Sequence, residues 1–157
     1  VKPAVVISVN VNPEGGVPKN PVEYAFLRKS GVEGDRQNDL KHHGGPNRAV
    51  CLFSSEIINE LRKEGHPIEA GSVGENLTIS GLDWDVLQPG SQLNIGEALI
   101  EVTGPAPPCR TIQNSFVKGN FSRISEKKNS GWSRWYARVL IEAQVHPKDT
   151  VIILECQ

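Results

Sequence analysis

Gln92-Leu93-Asn94-Ile95-Gly96-Glu97-Ala98-Leu99-Ile100-Glu101-Val102-Thr103 reads as two short strands, 92–95 and 98–103, meeting at a turn signal at Ile95-Gly96. Similar runs lie on both sides. Upstream, 76–79 ends at Gly81, and Pro89-Gly90 marks another turn before 92. The middle of the chain is therefore predicted to be a series of hairpins. Residues 3–11 are rich in Val and Ile and stop at Asn12-Pro13-Glu14-Gly15-Gly16, as a strand running into a turn does. Residues 24–28 predict a further short strand, and 139–145 with 150–154 predict a last pair around Pro147-Lys148-Asp149. Many short strands with few helices predict a mainly β domain, either a barrel or a sandwich.

One helix stands out. Residues 49–53 read as a buried strand, after which Ser54 or Ser55 can cap a helix with Ile57, Ile58 and Leu61 on one face, stopped by Gly65 and Pro67. Residues 31–48 are polar, punctuated by glycine and without periodicity, which predicts a long ordered loop of the functional kind. Residues 115–135 carry a break at Ser130-Gly131 but fit a short helix or a loop equally well.

The chain has 157 residues, the size of one domain with one core, and nothing in it marks a linker or a repeat, so 1–157 is read as a single domain. An apolar share of 38% before glycine is counted excludes disordered and fibrous classes. Lys and Arg number 17 against 18 Asp and Glu, so no global basic field exists to hold nucleic acid or an anionic membrane, and any anion site must be local. The lack of a long apolar run or a signal-like start predicts a cytoplasmic protein. Cys51, Cys109 and Cys156 lie far apart without a C-x-x-C pair, against a zinc site or a disulfide framework.

Three constellations can carry chemistry. The first runs from Asp35-Arg36 through His42-His43-Gly44-Gly45 to Arg48: the glycines let the main chain turn and offer N–H groups to an oxyanion, and Arg48 can fork onto a phosphate. Its bland alternative is a solvated loop, and a metal site from Asp35, Asp39, His42 and His43 lacks familiar ligand spacing. In the second, Gly74-Glu75-Asn76 delivers a carboxylate and an amide to the mouth of a strand, able to read a heterocycle edge or simply to brace a turn. The third, Gly104-Pro105-Ala106-Pro107-Pro108-Cys109-Arg110, is a proline-stiffened segment that ends in a thiol beside a cation, which favours the thiolate. The alternative for Cys109 is a small buried filler, a description that suits Cys51 better.

Taken in order, Gly34-Asp35-Arg36, His43-Gly44-Gly45 with Arg48-Ala49-Val50, Gly74-Glu75-Asn76-Leu77, Ile95-Gly96-Glu97-Ala98 and Pro108-Cys109 resemble the molybdenum cofactor sulfurase C-terminal (MOSC) domain family across most of the chain. The resemblance implies a closed or nearly closed β-barrel that binds the molybdenum cofactor, with Cys109 at the family's cysteine position as molybdenum ligand or sulfur acceptor. It further implies that Asp35, Arg36, His43, Gly44, Gly45, Arg48 and Arg110 line the cofactor pocket, Arg48 on the phosphate, and that Glu75 and Asn76 face the pterin or the metal. A free-standing copy then needs a cysteine desulfurase or an electron donor in trans, and a molybdoenzyme is a candidate acceptor. Three functions follow as expectations: a sulfur carrier acting through Cys109, an oxidoreductase reducing N-hydroxylated compounds with Cys109 on the metal, and a non-catalytic cofactor store.

Overall fold

The structure, a computed structural model, describes residues 3–36 and 44–155. In chain order the strands are β1 (Ala4–Val11), β2 (Asn20–Val22), β3 (Ala25–Arg28), β4 (Gly31–Val32), β5 (Val50–Ser54), β6 (Leu77–Ser80), β7 (Gln92–Ile95), β8 (Ala98–Ala106), β9 (Arg134–Ile141), β10 (Ala143–Val145) and β11 (Thr150–Leu154). A single α-helix among the described residues, α1 (Ser55–Lys63), follows β5 directly. The main sheet runs β11-β7-β8-β9-β5-β6-β1, and β1 pairs back onto β11, closing a seven-stranded barrel with β2 as an outrigger on β1. Closure pairs both sides of every ring strand and removes the open edges that such short strands would otherwise expose. A second small sheet, β10-β3-β4, stands beside it.

Side-chain alternation divides β9 between two environments. Trp135, Ala137 and Val139 enter the main core with Val50, Leu52, Leu77, Ile79, Ile100 and Val102. Tyr136 points the other way and forms a separate small cluster with Cys51 and Ala106 on the outer wall. The register explains that cluster: Tyr136 lies opposite Cys51 on β5 and Gly104 on β8. Every residue of β5 is buried, and this is why it reads as an unbroken apolar run.

The predicted helix forms as its sequence dictates. Ser54 Oγ accepts the Ile57 N–H at 3.2 Å, Ile58 and Leu61 are buried, and Gly65 at φ 98° takes the chain out of the helix. Its role in the topology was not predicted: α1 carries β5 over to β6, which pairs with β5 in parallel and with β1 antiparallel. The predicted series of hairpins is therefore corrected to one, β7–β8. The last predicted pair is corrected too, since β10 pairs with β3 while β11 joins β7 and β1. β8 also outruns its predicted end: a register shift between Val102 and Gly104 lets the strand continue through Pro105, opposite Trp135. The unplaced stretch 115–135 holds short 3-10 turns, Val117–Gly119 and Phe121–Ile124, before β9 begins. Among the described residues no helix is long and apolar enough to cross a membrane.

Candidate functional site

The outer wall over β1, β6, β5 and β9 carries a buried polar lattice. Asp35 anchors it: Oδ1 accepts the Asn12 N–H at 2.8 Å, and Oδ2 accepts Lys19 Nζ at 2.5 Å and Asn76 Nδ2 at 2.9 Å. Asn76 also donates to the Asn10 carbonyl at 3.2 Å and accepts the Cys51 N–H at 3.0 Å, so one amide ties the 31–36 segment to two strands. Gly71 lets Lys19 approach: the Lys19 N–H donates to the Gly71 carbonyl at 2.9 Å, and a Cβ on Gly71 would sit 2.2 Å from the Lys19 carbonyl oxygen.

Glu75 lies wholly inside this lattice. Oε2 accepts the Thr78 hydroxyl at 2.9 Å, while Oε1 has no hydrogen-bond partner among the described residues. Burial pushes its carboxyl up to about 7, opposed by the nearby N–H groups of Gly71 and Glu75, the Thr78 hydroxyl and the Arg134 charge. Arg134 is the neighbouring cation, 5% exposed, and its Nε likewise has no hydrogen-bond partner among the described residues.

A cavity of about 530 Å³ opens above Asp35, lined by the strand turn at Gly31, Val32 and Glu33 and by Arg36, Gly45, Arg48 and Ala49. Gly45 holds φ 91° just before the 3-10 turn Pro46–Arg48, which brings Arg48 over the Tyr136 ring at 5.6 Å. Arg48 and Tyr136 also border a second cavity of about 430 Å³ along β8, so Arg48 stands between the two. Tyr136 has its hydroxyl pKa raised, chiefly by burial and then by Cys51, against the pull of Arg134 and Arg48; Cys109 is also within electrostatic reach.

Cys109 follows the end of β8 and opens the 3-10 turn Arg110–Ser115. It is partly exposed, and Sγ shares a hydrogen bond with Thr111 Oγ1 at 2.8 Å. Arg134 holds the segment leading to it: Nη2 donates to the carbonyls of Ala106 and Pro107 at 3.3 and 3.2 Å, while Nη1 reaches the Val73 carbonyl at 2.6 Å. One guanidinium thus joins the cysteine-bearing segment to the loop that carries Glu75. Cys51, by contrast, is fully desolvated; burial pushes its thiol up to about 11 despite the Arg134 and Lys19 charges, with Glu75 and Asp35 adding to the rise. That leaves it the small buried filler expected of it.

Of the predicted residues, Asp35, Arg36, Gly45 and Arg48 gather at the first cavity, and Gly44 adjoins Gly45. Cys109 lies within electrostatic reach of Tyr136, which shares the second cavity with Arg48. Arg110 is exposed. Glu75 and Asn76 are completely buried and brace the wall behind Asp35. His43, together with Asp39 and His42, lies outside the described residues, and so does Cys156. Sequence reasoning missed Asn10, Lys19, Arg134 and Tyr136. The one available signal was Arg134-Trp135-Tyr136, whose alternation puts a cation and a phenol on the face opposite an indole.

A MOSC domain family model matches residues 39–152. Among curated proteins, the chain is 33% identical to "Uncharacterized protein YflK" of Bacillus subtilis (strain 168) over 136 residues, 85% of this chain and 61% of that protein. It is 29% identical to "Protein YiiM" of Escherichia coli (strain K12) over 92% of this chain and 61% of that protein. The chain thus spans about three fifths of the length of these relatives. Among solved structures, YiiM from Geobacillus stearothermophilus superposes with a TM-score of 0.72 at 26% identity, covering 98% of this chain and 76% of that one. The YUAD protein from Bacillus subtilis shares the fold, with a TM-score of 0.78 at 18% identity over 99% and 98% of the two chains. The chain belongs to the MOSC domain family, a family associated with molybdenum cofactor binding.

Proposed function

We propose that this chain binds the molybdenum cofactor beside Arg48 and carries sulfur on Cys109 to or from the molybdenum centre. The observation that carries the reading is the contrast between two thiols: Cys109 is partly exposed on a braced segment, whereas Cys51 is sealed and hard to ionise. The donor set suits the group. Arg36, Arg48 and the Gly44-Gly45 main chain can take an anionic tail, and Cys109 is a soft ligand for a metal. Among the described residues no three His, Cys, Asp or Glu side chains converge. When bound, the cofactor supplies a dithiolene-held molybdenum as source or destination of the sulfur.

The chain's own part is transpersulfidation. Cys109 thiolate attacks the outer sulfur of a donor persulfide; a new S–S bond forms at Cys109, the donor S–S bond breaks, and the donor thiolate leaves with the electron pair. No outside oxidant is consumed. Arg134 keeps the attacking sulfur in place, and the Asp35 lattice keeps the cavity wall in place. A cysteine desulfurase is the partner class that provides such a persulfide, and a molybdoenzyme is the class that receives the product.

The test is loading with labelled sulfur from a desulfurase. Label that enters the protein, leaves with thiol reductant and is absent from Cys109→Ser is the expected result. A wild-type protein that takes no label, yet reduces an N-hydroxylated compound with an artificial electron donor, would replace this reading with the oxidoreductase one.

A further inference from the structure

The proline segment that ends at Cys109 also walls a groove of about 340 Å³, with Pro107 and Pro108 on one side and Phe121, Lys127 and Lys128 from the 3-10 region on the other. The chain as a whole is close to neutral, at −1, but the stretch from Pro107 to Lys128 carries five basic residues and one acidic. Two members of that stretch are already engaged. Arg123 forks onto Glu64 at 3.0 and 2.8 Å and lies over the Trp132 ring, and Glu126 turns its carboxylate to Ser130 Oγ and the Gly131 N–H. Lys127 and Lys128 are exposed and form no ion pair among the described residues, and Glu126 lines the groove between them and the serines; Arg110, also exposed, follows Cys109 outside the lining. Two exposed lysines therefore border a mostly apolar groove whose proline wall leads to the partly exposed Cys109 thiol.

We infer that this groove docks an acidic polypeptide segment carrying an apolar anchor residue, presented by the protein that exchanges sulfur with Cys109. The inference rests on the transfer reading for the identity of that partner, and on charge and shape for the docking itself. Proline and phenylalanine walls are already rigid, so burying an anchor side chain there orders little of this chain. Exposed lysines at the margin attract acidic side chains and raise the encounter rate. Nucleic acid fits less well, because tight binding to its backbone uses about 6–10 phosphate contacts and this groove offers two lysines beside a carboxylate and an apolar trough.

A fluorescein-labelled peptide with glutamates flanking a central Leu-Phe pair is the probe, and fluorescence anisotropy with the folded chain is the readout. Binding is expected to weaken at least about fivefold in the Lys127→Glu/Lys128→Glu double variant, to weaken as salt rises, and to slow alkylation of Cys109. Cys109→Ser should bind the peptide as wild type does. A peptide that fails to bind, or binds the double variant equally well, overturns the inference. So does charge-dependent binding of phosphatidylglycerol vesicles or single-stranded DNA without binding of the peptide. If the peptide binds but no sulfur is ever loaded, the docking surface stands and the transfer reading falls.

Discussion

Lys19 Nζ and Asp35 Oδ2 meet at 2.5 Å with their side chains 6% and 3% exposed, which makes this a buried ion pair beneath the cavity wall. Removing one partner strands the other. Asp35→Ala leaves the Lys19 ammonium without its carboxylate and takes one of two acceptors from the Asn76 amide, and is expected to lower stability by about 3–5 kcal/mol in urea unfolding. Pairing Lys19→Met with Asp35→Leu removes the stranded charge, so this double variant should recover part of the loss. A double variant less stable than Asp35→Ala would show that the pair is not what braces this wall.

Glu75 makes stability depend on pH in a definite direction. Its carboxyl sits at about 7 in the folded chain against an ordinary 4.5, so between those values the unfolded chain releases the proton first and stability falls as pH rises. Below the window both states hold the proton and the effect vanishes. Glu75→Gln cannot ionise and should lose that decline, a difference of a few kcal/mol across the window. Urea midpoints at pH 4.5 and 7.5 for both proteins measure it. Parallel midpoints would mean that Glu75 is charged in the fold.

Much of the barrel is legible locally, because a strand that ends at a cap or a turn announces itself in its own residues. Ser54 with Ile58 and Leu61, and the Ile95-Gly96 turn, are such signals, and the structure places both elements as predicted. Pairing across the ring is not local. Residues 139–145 and 150–154 read as a pair, yet Lys148 at φ 78° lies in a passage between two different sheets. The site divides the same way. Cys109 and Arg48 stand out by their neighbours in sequence, whereas Arg134 acquires its role from a carbonyl 61 residues away and Lys19 from a carboxylate 16 residues on. Glu75 and Asn76 were visible as chemistry, but only the fold shows them turned inward.

Arg134 tests whether the brace matters to the sulfur. Arg134→Ala frees the carbonyls of Val73, Ala106 and Pro107 and should cost about 2–4 kcal/mol. Arg134→Lys keeps the charge but cannot serve both sides at once, so it should retain more stability while Cys109 alkylation changes rate by severalfold. An unchanged rate in the folded Lys variant would remove Arg134 as a positioning residue.

Arg48 lies over the Tyr136 ring at a partly exposed position, so Arg48→Ala is expected to leave the chain folded. Cofactor retention should suffer. Loss of one charge-assisted contact to a phosphate predicts roughly tenfold weaker binding, read as pterin fluorescence and molybdenum per chain after purification. Wild-type retention would take the phosphate away from Arg48.

The central claim concerns one sulfur atom, and peptide-level mass spectrometry reads it directly. The folded protein is treated with a glutathione persulfide, trapped with an alkylating reagent and digested. One added sulfur on the Cys109 peptide, with the Cys51 peptide unmodified until the chain is unfolded, is the result expected. A Cys109 peptide without added sulfur, or equal loading of Cys51 in the folded state, would contradict it.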